Sequence, residues 1–216
     1  MIKKLFRYFK IYSPSTLLYF VFLELRSFYR RSFSNSFSQW GEDIIIDDLL
    51  GKKRRGFYVD VGAYDPTRFS NTKKFYTRGW RGINIEPDPI RIKKFYLERT
   101  RDINLNIGIA NKNGFLNFFK FSPETLSTFS KKSATDYQKR GYQLNEIIKV
   151  KVLKLSQVLE KKCSTKNIDF FSIDTEGFDL EVLKSNNWKE FKPRIICIEG
   201  QGHSPEKFLV KLGYKK

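Results

Sequence analysis

The chain has 216 residues, 40% of them hydrophobic, which suits one main domain with its own core. Its 41 Lys and Arg against 23 Asp and Glu give a formal net charge of +18, a balance that attracts nucleic acid, anionic lipid or phosphorylated molecules. Two cysteines in unrelated segments, Cys163 and Cys197, exclude a disulfide framework and a cysteine metal site, and a reducing cytoplasm fits them.

The first 31 residues stand apart. Lys3, Lys4, Arg7, Lys10, Arg26, Arg30 and Arg31 surround apolar stretches such as residues 17–23. That run is too short to span a bilayer and lacks the small-residue cleavage site of a signal peptide. It is suited to peripheral contact with an anionic membrane, although a helical extension packed on the domain or on a partner is the preferred reading. Residues 32–38, alternating Ser with Phe and Asn, read as a linker. The chain therefore divides into an extension over 1–37 and a main domain over 38–216.

Residues 39–50 read as a partly amphipathic helix ended by Gly51. Residues 57–61 are a first strand, 71–78 a helix closed by Gly79, and 83–86 a second strand. Asp88 and Pro89 open a helix that runs to about Arg99. A third strand over 103–109 turns at Asn111–Gly114 into an antiparallel strand over 115–121. The polar stretch 123–145 is expected to be loop with one short helix around Tyr137. Residues 149–155 alternate like a strand, and Ser156 caps a helix to Lys161. Strands over 168–174 and 194–199, a helix over 178–185 and a last helix from Pro205 complete the pattern. Strands alternating with helices imply an α/β fold with a mostly parallel, doubly wound sheet.

Three strands end in acids: Asp60 before Gly62, Glu86, and Asp174 before Glu176. In an open α/β sheet, ligands bind outside the carboxyl ends of the strands. The turn after the first strand has one glycine, not the Gly-x-Gly-x-x-Gly of a dinucleotide site, and no P-loop is present. Phosphate-cradling readings therefore fail. S-adenosylmethionine, which has no phosphate but has a ribose diol and a sulfonium, matches one glycine and several acids better. Glu86 follows Gly62 at about the spacing from which an acid reaches a ribose diol, or it simply caps the next helix.

The segments Ser38-Gln-Trp-Gly-Glu-Asp43, Phe57-Tyr-Val-Asp-Val-Gly-Ala63, Arg68-Phe-Ser-Asn-Thr72, Gly79-Trp-Arg-Gly-Ile-Asn-Ile-Glu86, Asp169-Phe-Phe-Ser-Ile-Asp-Thr-Glu-Gly177 and Ile195-Ile-Cys-Ile-Glu199 together resemble the FkbM family of S-adenosylmethionine-dependent methyltransferases. The resemblance covers about residues 38–214. It implies a Rossmann-like class I methyltransferase fold and O-methylation of a hydroxyl on a sugar, glycan or related small molecule. Carried onto this sequence, it implies that Asp60, Gly62 and Glu86 hold the cofactor and that Asp174 lies at the reaction centre. Ala63, Pro87 and Asn106 are expected to complete the cofactor site, and Asn71, Glu176 and Glu199 to bind the acceptor. His203, the only histidine, is a second candidate base because its ordinary pKa is near neutral. Asp174 and Glu199 could share a divalent cation, but acids alone are a weak metal signal and no metal is assigned. The chain stops at Leu212-Gly-Tyr-Lys-Lys216, where such folds begin a final antiparallel strand pair. The sheet is expected to lack that pair, at some cost in activity, or to have its edge covered by the N-terminal segment.

Two rival readings stay open. The charge suggests an RNA methyltransferase, but no aromatic run alternates with basic residues as a stacking platform requires, and the strand ending in Ile173-Asp-Thr-Glu176 lacks the Pro-Pro-aromatic tip of base-methylating enzymes. Nucleic acid is therefore not the expected partner. The other rival is a membrane-associated relative without turnover.

Overall fold

The computed structural model describes residues 36–199 and 203–216, so the reading of residues 1–31 as a membrane-surface or packing segment lies outside the described residues. In chain order the elements are α1 (Glu42–Leu49), β1 (Phe57–Val61), α2 (Lys73–Thr77), β2 (Arg81–Ile85), α3 (Ile92–Glu98), β3 (Ile103–Leu105), β4 (Gly108–Ile109) and β5 (Gly114–Ser122). They continue through a 3-10 turn (Glu124–Leu126), α4 (Lys131–Lys139), β6 (Gln143–Leu153), α5 (Leu155–Lys162), β7 (Phe170–Ile173), α6 (Asp179–Lys184), β8 (Ile195–Ile198) and α7 (His203–Lys211). No helix among the described residues is long and apolar enough to cross a membrane.

The main sheet has the order β3-β2-β1-β7-β8, with every pair parallel. Side chains alternate across a strand, so each strand supplies both faces of the sheet. On one face Val59, Val61, Ile83, Ile85, Phe171 and Ile173 pack against Leu155 and Leu159 of α5, Val182 and Leu183 of α6, and Leu209 of α7. On the other, Tyr58 and Phe170 meet Ile46 of α1, Phe75 of α2 and Trp80. Helices on both faces explain why these strands read as almost continuous apolar runs. Each large side chain buried this way contributes about 1.5–3 kcal/mol. Trp80 keeps its polar atom satisfied, since its Nε1 donates to Lys53 O at 3.2 Å.

The face that carries Tyr58 also holds a buried polar network. Arg99 is fully buried, and donates to Pro66 O at 2.8 Å, Tyr58 Oη at 3.0 Å and Ser70 Oγ at 2.9 Å. Tyr58 in turn donates to Asp102 at 2.6 Å, and Asp102 also accepts from Asn84 Nδ2 at 3.0 Å. A buried guanidinium persists only because these partners satisfy it.

The structure corrects several sequence expectations. The strand expected over 103–109 is two strands: the chain leaves the main sheet after Leu105, and β4 joins a second sheet of order β4-β6-β5. The strand after the Asn111–Gly114 turn does not pair back on its predecessor, because β6 lies between β4 and β5. Ser156 does not cap α5. It lies inside the helix, Lys154 stands at the N-cap without a side-chain bond, and Leu155 N donates instead to Ser185 Oγ at 3.1 Å. At the other boundary, Ser36 Oγ and Phe37 N donate to Asp43 at 2.6 and 2.8 Å, so the end of the expected linker is tied to α1. Among the described residues no strand follows α7, and β8 is an edge of the main sheet.

Candidate active site

Parallel register lines up the residues that follow the five strands. Ile85 pairs with Val61 and Leu105, and Ile173 with Val61 and Ile198. One step further stand Asn106, Glu86, Gly62, Asp174 and Glu199, in that order across the sheet. The row is held by backbone bonds from Glu86 N to Leu105 O (3.1 Å), Gly62 N to Ile85 O (3.0 Å), Asp174 N to Val61 O (3.0 Å) and Glu199 N to Ile173 O (3.1 Å). Residues far apart in the chain meet because five strands end at one level.

A cleft of about 380 Å³ opens over this row, within the usual range for small-molecule sites. Of the predicted residues, Asp60, Gly62, Ala63, Asn71, Glu86, Pro87, Asp174, Glu176 and Glu199 all line it. Asn106 does not: its Nδ2 donates to Glu86 O and Pro87 O, both at 3.0 Å, and so braces the wall from behind. His203 opens α7, and its side chain lies outside the described residues. Seven carboxylates and two guanidiniums line the cleft, so a strongly basic chain carries an acidic pocket.

Gly62 lies at φ +79°, and a Cβ there would stand 1.8 Å from Asp174 O. The glycine therefore serves both a left-handed turn and the close approach of the β1 and β7 tips. Asp60 is not a strand tip. It lies within β1, buried, and its Oδ2 accepts from Thr72 Oγ1 at 2.8 Å. Burial raises its pKa to about 6 against the opposing pull of Thr72 and Arg99. Glu86 is also buried, and its two oxygens accept from Tyr64 N and Asp88 N, each at 2.8 Å. Burial raises its pKa to about 7, partly offset by the Asp88 N–H and by Arg91. One carboxylate thus ties the turn after β1 to the turn after β2. Asn71 reaches across to β7, donating to Ser172 Oγ at 3.2 Å.

Asp174, Glu176 and Glu199 each bring a carboxylate oxygen within 4.8 Å of the others. The protein around Asp174 and then the repulsion of Glu199 push its pKa well above the ordinary carboxylate range. Asp174 is open to water in the cleft, so the like-charge repulsion from Glu199 is the cause that acts on it there. By distance alone the three acids could also share a divalent cation; acids alone assign none. Glu176 is fixed from two sides: Tyr137 Oη donates to its Oε2 at 2.6 Å, and Thr128 Oγ1 to its backbone carbonyl at 2.9 Å. Its φ of +52° is unusual for a non-glycine, the kind of local strain that collects at functional sites.

The sequence reading expected the stretch 123–145 to govern acceptor choice but named none of the side chains that roof the cleft. Phe118, Phe129, Tyr137, Arg140 and Tyr142 reach it from β5, α4 and the segments around them. Tyr64, Phe69 and Arg91 were also missed; the Arg91 guanidinium lies 3.9 Å from the Tyr64 ring centroid. A helix around Tyr137 was legible, but its aim toward Glu176 depends on a distant contact. The model of the methyltransferase FkbM domain matches residues 60–214.

The chain belongs to the FkbM methyltransferase family. No curated protein and no solved structure matches it. The five-stranded parallel sheet flanked by helices agrees with the Rossmann-like fold of such a methyltransferase. The FkbM match begins at Asp60, yet Asp43, upstream of it, anchors Ser36, Phe37 and Ser38 beneath α1.

Proposed function

We propose that this FkbM methyltransferase uses S-adenosylmethionine to methylate a hydroxyl of a sugar, glycan or related small molecule. The observation that carries the reading is the row of acids at the carboxyl end of the sheet, in a cleft with a single glycine turn. These residues fit the cofactor chemically: carboxylates accept hydroxyl hydrogen bonds and balance a sulfonium, and no phosphate cradle is present. Glu86 spends one acceptor site per oxygen on backbone N–H groups and keeps further lone pairs for a diol. Gly62, Ala63 and Pro87 shape the wall beside it, Asp60 supports the floor, and Asn106 braces the Glu86–Pro87 turn. S-adenosylmethionine would supply an electrophilic methyl group carried on sulfur.

Asp174 accepts the acceptor hydroxyl's proton as oxygen becomes acidic, and the repulsion of Glu199, which raises its pKa, makes it a stronger base than an ordinary carboxylate. Glu176, held by Tyr137, orients acceptor hydroxyls together with Glu199 and Asn71. Holding the reacting atoms in line lowers much of the barrier. His203, four residues beyond Glu199, is the second candidate base. Calorimetric titration of folded, full-length protein with S-adenosylmethionine is expected to show saturable binding. Isotope-labelled methyl transfer should then appear in the glycan or small-molecule fraction. Absence of cofactor binding overturns the proposal; transfer to protein or RNA instead overturns its acceptor class.

A further inference from the structure

The register that collects acids at one end of the sheet collects cations at the other. Stepping back along the same pairs, Arg101, Arg81, Phe57, Asp169 and Arg194 stand in one row. The loop before β1 adds Lys52, Lys53, Arg54 and Arg55, and Arg78 precedes β2. An open groove lies along this end, lined by Lys53, Arg55, Arg78, Arg81 and Arg101. Among the described residues its one acid, Asp169, is already neutralised by Lys53 at 2.7 Å and Arg194 at 3.9 Å. Arg78 is held by Asp47, and Arg101 by the Tyr76 carbonyl. Arg54, Arg55 and Arg81 are exposed and have no side-chain hydrogen bond or ion pair among the described residues. These three are free to take external anions.

We propose that this end of the molecule docks on an anionic lipid bilayer, with the groove receiving phosphodiester headgroups. None of the residues that form it belongs to 1–31. Two observations favour lipid over nucleic acid. Among the described residues the one aromatic ring lining the groove, Phe57, is half-buried, and Trp80 nearby is fully buried, so no open ring is offered on which a base could stack. Beside it, α1 is joined to the groove through the Asp47–Arg78 pair and leaves Ile45 and Leu49 61% and 65% exposed. Leu49 ends α1 three residues before the Lys52–Arg55 run, and exposed apolar side chains in the same segment as unpaired cations suit the boundary between headgroups and acyl chains. Five residue steps of ~3.3 Å separate this row from the acid row, so docking leaves the cleft open, roughly 16 Å further out.

The test is vesicle co-sedimentation of the full chain, comparing phosphatidylglycerol with phosphatidylcholine vesicles. A cation near an anionic surface changes partitioning about fivefold, so Arg55→Ser with Arg81→Ser should weaken binding about 25-fold. Arg55→Lys with Arg81→Lys should restore it, and all three proteins should share one thermal midpoint. Residues 1–31 are the same in every arm, so the difference reports the groove alone. Equal partitioning of wild type and the serine variant overturns the proposal. So does a result in which a single-stranded RNA, but no vesicle, responds to the two substitutions. The readout needs no S-adenosylmethionine, so its failure is separable from failure of the enzymatic reading.

Discussion

Replacing Gly62 with alanine tests the seam on which the candidate site depends. The added Cβ would lie 1.8 Å from Asp174 O and 2.9 Å from its carbonyl carbon, both backbone atoms. The backbone φ of +79° adds a separate strain. A left-handed conformation costs an ordinary residue about 1–2 kcal/mol, and forced overpacking about 1–3 kcal/mol. Together they reach about 2–5 kcal/mol, a large share of the ~5–15 kcal/mol that stabilises a typical domain. For a chain of this size that corresponds to a fall of about 4–20 °C in thermal midpoint. Gly51→Ala is the control: φ is +64° there, but a Cβ meets nothing within 4 Å, so only the backbone cost applies. The clash must be relieved by parting β1 from β7, which moves Asp174 away from the turn. A displacement of about 1 Å can cost ~100-fold in rate, so methyl transfer should fall further than stability. If Gly62→Ala melts with Gly51→Ala and retains transfer, the coupling of the two tips is wrong.

Asp174→Asn should lower methyl transfer by about 100-fold or more, with S-adenosylmethionine affinity within a few-fold of wild type by calorimetry; equal losses in both would move Asp174 out of the reaction centre. Glu86 has a folded pKa near 7 against an ordinary 4.5, so the folded state holds this proton more tightly. Stability is therefore lost as pH rises from about 4.5 to about 7, by up to about 3 kcal/mol from this carboxyl. Glu86→Gln should flatten that slope in urea titrations across the window; parallel slopes for the two proteins would refute the assignment. Arg99→Met leaves Asp102 buried without its cation and should cost about 3–5 kcal/mol by urea denaturation, whereas a loss below about 1 kcal/mol would mean that Tyr58 and Asn84 suffice.

Strands buried on both faces were legible because nothing polar interrupts their pattern at the apolar positions; β1 was read to its observed limits. The site residues after them were legible for the same reason, since a parallel sheet turns strand ends into a shared floor. Asp60 misled, because one polar residue in an apolar run looks like an end when its partner Thr72 is twelve residues away. For Glu86, capping and ligand binding were weighed as alternatives, yet its carboxylate already holds two turns and has acceptor sites left. The second sheet was the least legible part. β6 is largely exposed and β5 is buried only at Phe118 and Phe121, so their pairing leaves little apolar signature, and β6 begins at Gln143 within a stretch read as loop. Arg99 reads as the end of a basic helix; its partners Tyr58, Pro66 and Ser70, all from distant segments, together with Asp102 reveal why it is buried.

The opposed rows of acids and cations also make the folded molecule a compass needle. A uniform net charge pulls a protein toward an oppositely charged surface without regard to its heading; a charge separated along the strand axis exerts a torque as well. At physiological salt the torque acts within about 8 Å of contact, close enough to correct the final approach. A negatively charged surface would therefore turn this protein so that Arg55 and Arg81 arrive first and the cleft of Asp174 and Glu199 faces the solution.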